Sequence, residues 1–74
     1  MQTGQSGTTP SNSPVDDATY DLLQALTSKL EAIEAYQLYA EDDEVRDVFE
    51  RLGRDEVEHA EVLLEALRRR LSNR

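Results

Sequence analysis

Apolar residues recur every three or four positions in two stretches of the chain, which is the spacing of one face of an α-helix. The apolar positions are Leu22, Leu23, Leu26, Leu30, Ile33, Tyr36 and Ala40 in the first stretch, and Val45, Val48, Phe49, Leu52, Leu63, Ala66, Leu67 and Leu71 in the second. The acidic run 41–44 separates them and leaves room for only a tight turn. The pattern predicts an all-α antiparallel hairpin of two helices, about 14–41 and 43–71.

The residues at the ends of the two stretches predict where the helices begin. Ser13 before Pro14 fits an N-cap followed by a proline at the first helical position, and Asp42 or Asp43 is the expected N-cap of the second helix. Residues 1–13 are almost entirely small and polar, so we expect a disordered tail there. Residues 14–74 then form one two-helix domain.

A single hairpin covers only one side of each apolar stripe. A chain of 74 residues without cysteine has no disulfide or zinc–thiolate site to stabilise it, which leaves self-association or an oxygen- and nitrogen-ligated metal. Dimerisation of two hairpins would bury the remaining apolar surface. We therefore expect a homodimer, or a higher homo-oligomer, built around a four-helix bundle.

The net charge of −8 argues against nucleic acid and anionic membranes as partners. No apolar run approaches the length of a membrane span, and the first residues do not have the pattern of a secretory signal. We expect a cytoplasmic protein. The cluster Arg68–Arg70 is expected to complement the negative end of the second helix dipole.

Two polar residues interrupt the apolar stripe of the second helix. Glu56 and His59 are predicted to face inward, and their three-residue spacing directs both side chains to one point beside the helix. A buried carboxylate is costly unless it is paired or ligates a metal. One interpretation is a metal site, completed by the same residues of a second copy across a twofold axis. The other is a buried polar pair that fixes the register of the helices.

Lys29 interrupts the stripe of the first helix in the same way. It lies as far before the predicted turn as Glu56 lies after it, so a hairpin brings the two to the same level. Lys29 would then neutralise Glu56, or extend its ammonium to the edge of the bundle. Tyr36 is placed either to donate a hydrogen bond to Glu56 or His59 or to pack in the core. Glu31 and Glu34 are either solvated charges or further metal ligands.

The segment from Lys29 to His59 resembles the ferritin-like superfamily, in particular the two-helix encapsulated ferritins and the rubrerythrin-type domains. The matching pieces are Leu-Glu-Ala-Ile-Glu-Ala-Tyr in the first helix and Arg-Asp-Glu-Val-Glu-His-Ala in the second. The resemblance implies a half-bundle that dimerises around iron and oxidises Fe(II) with dioxygen, which is ferroxidase chemistry. It also implies assembly inside an encapsulin-type protein shell, a nanocompartment.

Carried over residue by residue, the resemblance makes Glu56 and His59 the metal ligands and Tyr36 the tyrosine beside the metal. Glu31 resembles a glutamate on the access route to the centre. The family has a further ligand glutamate seven residues before that tyrosine, where this chain has Lys29. The chain is therefore expected to bind iron or another divalent metal, or to be a metal-free oligomerisation module with a Lys29–Glu56 pair in its core.

Overall fold

A computed structural model describes residues 13–72, which form two helices joined by a short turn. Helix α1 comprises Asp17–Tyr39 and helix α2 comprises Arg46–Ser72. Residues near the start of α1 contact residues near the end of α2, and the end of α1 contacts the start of α2, so the helices are antiparallel. The predicted all-α hairpin is confirmed. The four-helix bundle involves a second copy and stays a prediction.

Helix α1 begins three residues later than predicted, because Asp16 is its N-cap. The Asp16 carboxylate accepts a hydrogen bond from the Thr19 backbone N–H at 2.9 Å, whereas the Ser13 hydroxyl oxygen accepts one from Val15 N–H at 3.2 Å. Ser13 and Pro14 therefore belong to the segment before the helix. The predicted tail, apart from Ser13, lies outside the described residues.

Helix α2 also begins three residues later than predicted, because Asp42 and Asp43 belong to the turn. The Asp42 carboxylate accepts a hydrogen bond from Glu44 N–H at 3.0 Å. The Arg46 guanidinium pairs with Asp43 and donates to the Ala40 carbonyl at 3.1 Å. The acidic run is thus held to the first turn of α2 without being part of it.

The hairpin is a slab one helix thick, with extents of 49 × 29 × 13 Å. Ala60 and Leu67 are its buried apolar residues, and no described side chain is completely enclosed. Large apolar side chains remain exposed along both helices; they include Leu23, Leu30, Val48, Leu52, Val57, Val62 and Leu71. Neither helix is long and apolar enough to cross a membrane.

Candidate metal centre

Glu56 of α2 and Lys29 of α1 form an ion pair across the hairpin. Lys29 Nζ lies 3.0 Å from Glu56 Oε1, and the two side chains are 35% and 17% exposed. Glu56 is therefore the more enclosed partner, and Lys29 lies nearer to water. The contact confirms that the two residues sit at one level of the hairpin, as their equal distances from the turn predicted.

His59 lies beside Glu56 on the outer edge of the interface between the helices. Its Nδ1 atom is 3.3 Å from the same Glu56 Oε1 atom, and its side chain is 60% exposed. His59 is therefore exposed in the single hairpin, and its position inside a four-helix bundle stays a prediction. Ala60 takes the inward position, and neighbouring residues of a helix point about 100° apart.

Hydrogen bonds lower the pKa of Glu56 below its ordinary value. The hydrogen bond from Lys29 is the largest cause, followed by the one with His59, while partial burial acts in the opposite direction. The carboxylate is therefore held in its ionised form, which is the form that pairs with an ammonium or ligates a metal.

Tyr36 packs in an aromatic cluster near the turn. Its ring centroid lies 5.4 Å from that of Phe49 and 6.3 Å from that of Tyr39. The side-chain hydrogen bonds found within residues 13–72 include none from the Tyr36 hydroxyl to Glu56 or His59. In this single hairpin Tyr36 therefore packs against other aromatic side chains and does not donate a hydrogen bond to either residue.

An open cavity of about 380 Å³ lies beside this cluster. Its lining consists of Ile33, Tyr36, Gln37, Ala40, Phe49, Glu50, Gly53, Arg54 and Val57. Gly53 faces Tyr36, and a Cβ atom built on Gly53 would lie 3.9 Å from the Tyr36 Cβ, which is an ordinary contact distance. The approach of the two helices therefore does not require a glycine at this position.

Glu31 and Glu34 are both exposed residues of α1. Within residues 13–72, no group of three or more His, Asp or Glu side chains is arranged to hold a metal. One chain therefore brings together two of the predicted donors, Glu56 and His59. The two further glutamates stay predictions for a site that includes a second copy.

The donor set of one chain fits part of a metal site. An oxygen and a nitrogen bound to one ion at about 2.1 Å and about 90° lie roughly 3 Å apart, close to the observed 3.3 Å between Glu56 Oε1 and His59 Nδ1. Two donors are fewer than the four to six that a divalent ion takes. A second copy of the pair would be needed, and the Lys29 ammonium already contacts the same oxygen.

A second polar link, which the sequence did not predict, lies at the open end of the hairpin. Arg70 Nη2 lies 2.7 Å from Asp16 Oδ2, and Arg70 Nε donates to the Thr19 hydroxyl at 3.2 Å. Thr19 is buried. Asp16 and Arg70 are almost equally far from the turn in residues. Counting residues from the turn, which paired Lys29 with Glu56, would therefore have paired these two as well.

A Glu-x-x-His pair on one helix of a hairpin is part of the ferritin-like arrangement, in which the partner helices each supply a further glutamate. A family model described as EncFtn-like matches residues 8–74, and the chain belongs to that family. The resemblance to encapsulated ferritins is thereby confirmed. Neither the curated proteins nor the solved structures contain a significant match to the chain.

Proposed function

We propose that this protein is a ferritin-like metal-binding protein whose substrate is Fe(II). Glu56 and His59 of two copies would bind iron at a twofold interface, and dioxygen would take one electron from each Fe(II). The observation that carries the proposal is the convergence of Glu56 Oε1 and His59 Nδ1, 3.3 Å apart, at a half-open edge of the hairpin. Family membership supports the same chemistry.

The exposed apolar surface around His59 is where a second hairpin would bind and supply the remaining ligands of the site. Val48, Leu52 and His59 follow one another at spacings of four and seven residues, which puts them within about 40° on one side of α2. Val48 and Leu52 are 48% and 39% exposed. A second hairpin that covers this apolar stripe would bring its own Glu56 and His59 close to the first pair.

The other predicted residues would act around this centre. Tyr36 would lie beside the metals, and Glu31 with Glu34 would supply further oxygen donors or attract Fe(II). We further propose that the assembled protein resides within an encapsulin-type shell, which family membership suggests. The chain itself would then oxidise iron, and the shell would store it.

Aerobic oxidation of Fe(II) tests the proposal. The unmodified protein should form Fe(III), followed by its near-ultraviolet absorbance, faster than buffer alone. Glu56→Ala and His59→Ala should reduce the rate to that of buffer, because each removes one of the two donors. Glu58→Ala is the matched control, since Glu58 is an exposed carboxylate between them. Oxidation by the unmodified protein at the buffer rate would refute the proposal.

The Lys29–Glu56 ion pair favours a second function, that of a metal-free oligomerisation module. The 3.0 Å contact neutralises the carboxylate within each chain, so two copies could meet without a bound cation. The pair would then fix the register of the helices. Self-association that is unaffected by a chelator, combined with no Fe(II) oxidation, would support this function over the first.

A further inference from the structure

Lys29 is the only lysine of the chain, and the hairpin places it on the carboxylate of the candidate metal centre. Its ammonium contacts Glu56 Oε1, the same oxygen that lies 3.3 Å from His59 Nδ1. The positive charge therefore lies on the oxygen that a cation bound by Glu56 and His59 would also use. An ammonium and a divalent ion on one carboxylate oxygen repel each other strongly.

The exposed fractions of the two side chains indicate which of them can move away when a cation binds. Glu56 is 17% exposed, so its carboxylate receives little compensation from water and is stabilised by an adjacent positive charge. Lys29 is 35% exposed and has a flexible four-carbon stem, so its ammonium can move into water without unfolding the hairpin. The lysine is the partner that can leave.

We propose that Lys29 is an internal competitor for metal: its ammonium occupies Glu56 in the metal-free protein, and a divalent cation binds only as the ammonium moves away. This inference rests on the proposed metal-binding function. Lys29 would then lower the affinity of the protein for a divalent metal, because each metal ion that binds must first break the Lys29–Glu56 contact. The protein would release the ammonium into water when it takes up metal and restore the ion pair when it loses metal.

Titration with Mn²⁺ tests this competition without relying on oxidation of iron. Lys29→Met keeps the apolar stem and removes the charge, so we expect Mn²⁺ to bind on the order of tenfold more tightly. Arg69→Met is the matched control, because it also removes one positive charge. Arg69 lies about 20 Å along α2 from Glu56, beyond the screening length of about 8 Å, and its loss should leave the affinity unchanged.

The single lysine also permits a direct measurement on the unmodified protein. An amine-specific reagent should label Lys29 more rapidly when Mn²⁺ is present, with the α-amino group as the internal reference. Equal Mn²⁺ affinity of the unmodified protein and Lys29→Met, with no change in labelling, would overturn the inference and leave metal binding intact. Absence of Mn²⁺ binding by both proteins would overturn the metal-binding function and this inference together.

Discussion

Glu56 and His59 are three residues apart, yet the hairpin encloses one side chain and exposes the other. The inward position of Glu56 follows from the apolar spacing around it. His59 shares one side of α2 with Val48 and Leu52, which are also exposed in the single hairpin. An apolar residue that covers an oligomer interface looks the same in the sequence as one that covers the hairpin core.

Replacing Lys29 by glutamate should reverse the charge balance at the centre. Lys29→Glu puts two carboxylates at one level of the hairpin, so we expect a lower melting temperature in the absence of metal, because like charges repel. Divalent metal should raise that melting temperature by more than it does for the unmodified protein. Thermal unfolding followed by circular dichroism, with and without Mn²⁺, measures both effects. An unchanged melting temperature under both conditions would mean that position 29 does not face Glu56.

Gly53 lies within α2, where glycine costs about 1 kcal/mol relative to alanine. A Cβ atom at this position would meet Tyr36 at an ordinary contact distance. Gly53→Ala should therefore increase the free energy of unfolding by roughly 0.5 to 1 kcal/mol, measured by urea denaturation at fixed protein concentration. A decrease would contradict the ordinary contact distance between this Cβ atom and Tyr36.

Both helices begin three residues later than the sequence predicted, for related reasons. Ser13 and Asp42 each bind the backbone two residues on, whereas Asp16 binds the backbone N–H three residues on, as an N-cap does. More than one residue that can cap a helix precedes each of them, Ser13 and Asp16 before α1 and Asp42 and Asp43 before α2, and composition does not determine which is the cap. The contact of Asp16 with Arg70 adds a long-range interaction that local cap rules do not include.

The ionised Asp16 carboxylate makes a pH-dependent contribution to stability at the open end of the hairpin. Hydrogen bonds from Thr19, followed by Arg70, lower this pKa from its ordinary 3.8 to about 2. Because the folded pKa is the lower one, the stabilisation is complete above the unfolded value and is lost as the pH falls from about 4 to about 2.

Replacement of Asp16 by asparagine tests this contribution. Asp16→Asn should be less stable than the unmodified protein at neutral pH, and the difference should shrink as the pH falls through that range. Urea denaturation at a series of pH values measures it. Asp21→Asn, which changes an exposed carboxylate of the same helix, is the control and should show a smaller pH-dependent difference. A difference for Asp16→Asn that is constant with pH would contradict the assigned pKa.

The hairpin as a whole was predictable because two helical repeats separated by four acidic residues allow few other arrangements. The exposure of large apolar side chains was also predictable, since one hairpin cannot cover the whole apolar stripe of either helix. The structure agrees: the slab is one helix thick and leaves apolar side chains exposed on both helices. What the sequence could not provide is which apolar residues the hairpin itself covers and which stay exposed on its outer side.

Self-association should depend on the exposed stripe beside His59. The unmodified protein should sediment as a dimer or larger oligomer at micromolar concentration. Leu52→Asp should shift it toward monomer, because the substitution puts a charge on the expected interface. Leu38→Asp alters a more exposed leucine near the turn and is the control. A folded monomer of the unmodified protein under these conditions would be incompatible with the half-bundle.

Metal analysis of the protein purified without chelator tests the metal-binding function most directly. Glu56 and His59 should retain iron, or another divalent metal, at a fixed ratio to the chain, and Glu56→Ala should lose that metal while Glu58→Ala keeps it. The result that contradicts the metal-binding function is an unmodified protein that contains no iron, zinc or manganese and takes up none when Fe(II) is added anaerobically.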